Sequence, residues 1–117
     1  MEHLIALMYH YPHEYELWQK GLISDYEAST GIFISAESPE SALAWGAVVA
    51  EKLLNFVNNS DSLTLENFQH TCWIIDSPSS SAWSHCLDFF QHIKVGEHPE
   101  FDRMTTEAYD QWQAKNL

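Results

Sequence analysis

A chain of 117 residues that is 45% apolar and carries five Trp, five Tyr and six Phe is long enough to enclose one hydrophobic core without staples and too aromatic to be disordered. Seventeen acidic residues against five basic ones give a formal charge of −12, which speaks against nucleic acid or an anionic membrane as a direct ligand and points to a basic protein partner. No run nears the roughly 20 apolar residues of a membrane helix. The opening MEHLIALMYHYPHEY lacks a basic leader and a small-residue cleavage site, so the expectation is one cytoplasmic domain over 1–117 with no signal peptide.

Residues 3–11 are almost continuously apolar, with Leu4, Ala6 and Met8 on one face and Ile5, Leu7 and Tyr9 on the other, as in a central strand buried on both sides. Pro12 ends it. From 13 to 29 the pattern loosens into a long, partly ordered excursion in which Tyr15, Trp18 and Tyr26 alternate with Glu14, Glu16, Asp25 and Glu27. A segment of that length inside a compact domain carries function or local structure, here either a contact surface or an aromatic lid on the core.

Gly31 to Asn59 contains the strongest local signal. Ile32, Ile34 and Ala36 alternate with Phe33 and Ser35, and then the period lengthens from that of a strand to that of a helix. The change falls at Ser38-Pro39, where Ser38 suits an N-cap, Pro39 the first helical position and Glu40 the positive end of the dipole. The helix runs from about 39 to 58 and stops at Asn58-Asn59. Leu43, Gly46, Ala47, Ala50, Leu54 and Val57 form its apolar stripe, widened by Trp45, Val49, Leu53 and Phe56. Gly46 costs about 1 kcal/mol relative to Ala in a helix interior and permits close approach to a sheet.

Strand composition resumes over 68–76, with Cys72 and Ile74 on one face and Trp73 and Ile75 on the other. After the serine run that follows Pro78, AWSHCLDFFQHIKV reads as a helical turn and then a strand between Phe89 and Val95. Thr105 or Thr106 then starts a C-terminal helix through Tyr109 and Trp112. The order is strand, strand, helix, strand, short helix, strand, helix. It predicts an α+β fold with a mixed or antiparallel sheet packed against the long helix.

Three chemical constellations can be drawn from the His and Cys residues. On a helix, His85, Asp88 and His92 would share a stripe able to present two imidazoles and a carboxylate to zinc, though not in the HExxH pattern. His70, Cys72, His85 and Cys86 are ligand types zinc accepts, but CxxC pairs are missing. Cys86 with His70 or His85 and Asp76 or Asp88 would make a nucleophile–base–orienter trio, but no nucleophile elbow or Gly-rich phosphate loop accompanies it. Cys72 and Cys86 could bridge, but two thiols in a domain with its own core are usually buried and reduced. The expectation is therefore a protein without cofactor or metal and not an enzyme.

The acids fall in two zones. Glu14, Glu16, Asp25 and Glu27 crowd the first quarter, and Glu97, Glu100, Asp102, Glu107 and Asp110 the last. The plain reading is a solvated face kept acidic for solubility. The functional one is a docking surface whose aromatics supply buried anchors, with Glu14, Glu16, Trp18, Asp25, Tyr26, Glu27, Glu97, Glu100 and Asp102 as partner-binding candidates.

In size, acidity and the wording GIFISAESPESALAWG and SSAWSHCLDFF, the chain resembles the small acidic immunity proteins that bacteria pair with secreted toxins, including those of contact-dependent inhibition systems. The resemblance implies a cytoplasmic protein, monomer or homodimer, that binds the toxic domain of a cognate partner and blocks its active site, such as a basic nuclease cleft. A secretion chaperone or adaptor is the alternative, followed by a small His/Cys metal-dependent or thiol enzyme.

Overall fold

The computed structural model describes residues 1–10, 12–22, 27–59 and 72–116, with the backbone alone at 9, 10, 12–15, 27 and 28. Strand β1 (Glu2–His10) is followed by helix α1 (Pro12–Gln19), strand β2 (Glu27–Ser35) and the long helix α2 (Pro39–Val57). Strands β3 (Cys72–Ile75) and β4 (Gln91–Lys94) and helix α3 (Thr106–Lys115) complete the order, with 3₁₀ segments at Pro78–Ser80, Ser84–Phe89 and Phe101–Arg103. The strands form one sheet in the order β3-β1-β2-β4. β1 pairs antiparallel with β2 and β3, and β2 pairs parallel with β4, so the sheet is mixed and the fold α+β.

The apolar run of β1 is buried on both faces because α2 covers one side of the sheet and the segment 83–90 with α3 covers the other. Ile5, Leu7, Ile32, Ile34 and Ile93 pack on Val49, Ala50 and Leu53 of α2. Leu4, Phe33 and Ile75 point the opposite way and meet Trp83, Cys86, Phe90, Tyr109 and Trp112. The period of two along each strand thus supplies two cores from one sheet.

Helix α2 begins as its caps predict. The Ser41 N–H donates to Ser38 Oγ at 3.1 Å, Pro39 opens the first turn, and Asn59, in the left-handed region at φ 51°, follows the last turn. Its buried stripe is Ala42, Gly46, Val49, Ala50, Leu53 and Leu54. The stripe is rotated relative to the sequence reading. Ala42 joins it and Phe56 leaves it, remaining 45% exposed beside Phe101 at a ring separation of 5.9 Å.

The excursion expected over 13–29 is shorter and more regular than its composition suggests. Pro12 starts α1 instead of merely ending β1. Gly21, at φ 75°, ends it in a Schellman arrangement: the Gly21 N–H donates to Trp18 C=O at 3.0 Å and the Leu22 N–H to Leu17 C=O at 2.9 Å. β2 then begins at Glu27, earlier than its apolar alternation, because the whole length of β1 pairs with it from Glu2↔Ser35 to His10↔Glu27. The part of the predicted 68–76 strand before Cys72 lies outside the described residues.

Candidate functional site

The loop after β4 turns back along the outer edge of the sheet and is held there by side chains. The Glu97 carboxylate accepts from the Lys94 N–H at 2.7 Å, and its carbonyl accepts from the Trp45 indole N–H of α2 at 2.7 Å. Gln91 then meets Glu100 twice. Its amide NH₂ donates to the Glu100 carbonyl at 2.9 Å and its amide oxygen accepts the Glu100 N–H at 2.9 Å, so one side chain reproduces a ladder rung on the edge strand. Pro99, next to this clamp, is buried. Glu97, Glu100 and Asp102 remain exposed on a backbone that is fixed.

An open groove of about 460 Å³ runs beside this loop, with Asp88, His92, Glu97, His98, Glu100 and Arg103 among its lining. Arg103 reaches Glu100 at 3.1 Å with both side chains about two-thirds exposed, so the pair contributes little to stability; with Lys94, exposed on β4, it sets two cations beside the carboxylates of Asp88, Glu97, Glu100 and Asp102, and the edge stays net acidic. Asp88 is thus a further carboxylate of this edge, with His98 beside it, that sequence reasoning did not assign to it. Sequence spacing also gives no sign of the Gln91 clamp.

The remaining candidates are distributed elsewhere. Glu16 and Trp18 are exposed on α1, Trp18 by 42%, and Glu14 belongs to the same helix. Glu27 opens β2 opposite His10, and Asp25 and Tyr26 lie outside the described residues. Gln91 stands at the register of Ile32, five residues along β2 from Glu27, or about 16 Å at the rise of a strand. The structure thus groups Glu97, Glu100 and Asp102 on one edge and leaves α1 and Glu27 at another end of the sheet.

Among the described residues, the His and Cys constellations do not come together as their spacing suggests. Residues 84–89 are 3₁₀ with a kink at Cys86 (φ −130°, ψ 20°), and His92 lies in β4, so the helical stripe of His85, Asp88 and His92 does not exist. His92 stacks on Phe33 at a ring separation of 4.6 Å and pairs with Glu2 at 2.6 Å, whereas His85 Nε2 meets the Tyr109 hydroxyl at 3.2 Å. Cys72 packs on the α2 side of the sheet and Cys86 on the other, which separates the two thiols; both are free. Among the described residues no three His, Cys, Asp or Glu side chains gather as a metal site, and His70 lies outside them.

A second concavity, of about 370 Å³, opens between the Ser84–Phe89 segment, β2 and α3. Its floor is aromatic because Gly31 has no Cβ: one placed there would stand 3.1 Å from the rings of both Phe90 and Trp83. Cys86, only 4% exposed, donates from its thiol to the Trp83 carbonyl at 3.4 Å. Burial pushes the Cys86 thiol up, against the opposing influence of the Tyr109 hydroxyl. Burial also raises Tyr109, reinforced by Cys86, and raises Cys72. A thiol that holds its proton more tightly than usual is the opposite of an activated nucleophile, so the Cys86 trio gains no support.

These shifts carry a prediction. Each group gives up its proton less readily in the folded chain than in the unfolded one, so its contribution is whole below the ordinary thiol value of 9.0 and is lost as pH rises through the raised folded values. Thermal melts should show a level melting temperature up to about pH 8 and a fall beyond it, shallower in Cys86→Ala than in the parent chain. Equal alkaline slopes in the two proteins would contradict this account of Cys86.

Comparisons of the chain with protein-family models, with curated proteins and with solved structures find no match.

Proposed function

We propose that this protein binds a basic protein partner, the toxic domain of a cognate toxin, and keeps it from its substrate, acting in the cytoplasm in the manner of the acidic immunity proteins. The observation that carries this reading is the acidic edge: Glu97, Glu100 and Asp102 exposed on a clamped segment of a chain whose formal charge is −12. Charge of that sign raises the rate at which a basic cleft is encountered, and a fixed backbone reduces the ordering cost once contact is made. A domain that cuts nucleic acid carries a basic cleft of this kind, and carboxylates can take the place of phosphates within it. Among the described residues no helix is long and apolar enough to cross a membrane.

Co-expression tests the reading. The product of the neighbouring gene should be toxic alone and harmless when this chain is made with it. A harmless neighbour, or one whose toxicity persists in the presence of this chain, overturns the proposal.

A further inference from the structure

We infer that the cavity between the Ser84–Phe89 segment and α3 receives an arginine side chain presented by the basic partner, an inference that rests on the binding function proposed above. The cavity joins two features that suit a guanidinium. Trp83, Phe89 and Tyr109 supply partly buried aromatic surface, with Phe89 and Tyr109 set edge to face at 5.3 Å. Asp110 supplies a carboxylate at the rim.

The lining includes no Lys or Arg among the described residues, and His85, whose Nε2 is engaged by the Tyr109 hydroxyl, is its one side chain able to carry positive charge. Two further observations fix the geometry. The Tyr109 hydroxyl is held by His85 Nε2 at 3.2 Å, and its ring lies edge to face on Phe89, which orients it. The missing Cβ at Gly31 lets the aromatic floor settle against β2.

A cation over an aromatic face is attracted to the ring, and a planar guanidinium can also stack there while donating to a carboxylate, which an ammonium cannot do as well. A neutral ligand would leave the carboxylate unused, and an anionic one would meet the −12 charge of the chain. Arginine is also among the residues that dominate interface energetics when seated in a pocket. The acidic edge would then guide the partner in and the cavity would hold it.

The test is an NMR titration of the full chain near neutral pH with three probes: the blocked amides of arginine, lysine and citrulline. Citrulline has the shape of arginine without its charge. The arginine probe should shift the Trp83 indole N–H, the Tyr109 ring and the Asp110 amide in a saturable manner, and the citrulline probe should bind about fivefold or more weakly. Asp110→Asn, a conservative change at an exposed helical position, should weaken the arginine probe by about threefold to fivefold without disturbing the rest of the spectrum.

Equal responses to arginine and citrulline would overturn the inference, as would arginine shifts confined to the Glu97–Asp102 loop. The two readings fail separately. If the cavity inference is wrong, the probe misses the cavity while the toxin is still neutralised; if the partner reading is wrong, co-expression fails while the cavity still takes the probe.

Discussion

Gly46→Ala is expected to destabilise this protein by about 1–2 kcal/mol, although the same change in an isolated helix would stabilise it by about 1 kcal/mol. A Cβ at position 46 would stand 2.8 Å from Ile5 Cγ2. Ile5 is fully buried on the central strand and its methyl is fixed close to the backbone, so it cannot swing aside as the end of a long side chain could. The helix must therefore lift from the sheet, loosening Val49, Ala50 and Leu53 along the same stripe. A double-mutant cycle in urea identifies the cause. Ile5→Ala is costly by itself, about 2–5 kcal/mol, but in that background the penalty of Gly46→Ala should vanish or change sign. An unchanged penalty would place the strain elsewhere.

The second large effect concerns association. Glu97→Gln, Glu100→Gln and Asp102→Asn together should slow binding to the basic partner by about tenfold or more at low salt while leaving the fold intact. Each replacement removes a charge and preserves the shape. The amide oxygen introduced by Glu97→Gln still accepts the Lys94 N–H, and Glu100 is clamped to Gln91 through its backbone, which the substitution does not touch. The matching set Glu14→Gln, Glu16→Gln and Glu27→Gln neutralises the other acidic zone. Stopped-flow association rates for the two triple variants rank the two zones, and an unaltered rate in the first would remove the β4 edge from the interface.

How much of this was readable in the chain depended on whether the signal was local. Helix α2 was plain because Ser38 and Pro39 punctuate the point where a period of two becomes a period near four, and Asn59 marks the end of the helix. The buried β1 and the Thr105-capped α3 were equally clear: an unbroken apolar run in one, and in the other a hydroxyl that accepts the Ala108 N–H at 3.2 Å. Helix α1 was obscured by its weak apolar pattern, although Pro12 at its start and Gly21 after its end were the signals that could have revealed it. The first half of β2, Glu27 to Gly31, has no alternation to read; its partner β1 imposes the strand on it.

The site was less legible than the fold. Spacings of three and four among His85, Asp88 and His92 suggest one face only if the segment is α-helical, and the 3₁₀ path with its kink at Cys86 sends His85 to Tyr109 and His92 to Phe33 and Glu2. Cys72 and Cys86 differ by an even number of residues, yet they end on opposite faces because they belong to different segments around the sheet. The acidic residues of the last quarter were identifiable from composition, but their presentation was not. It depends on Gln91, nine residues from Glu100, and on Trp45, fifty-two residues from Glu97, and contacts at that separation exist only once the chain has folded.

The central claim is that exposed acids on a fixed edge draw in a basic protein partner, and the ionic-strength dependence of the association rate tests it most directly. With the neighbouring gene's product as partner, the rate should fall steeply with added salt as the Debye length shrinks from about 30 Å at 0.01 M to about 10 Å at 0.1 M. The slope should flatten in the Glu97→Gln, Glu100→Gln, Asp102→Asn variant. A rate that is independent of salt, or a slope identical in the parent and the variant, would contradict the account.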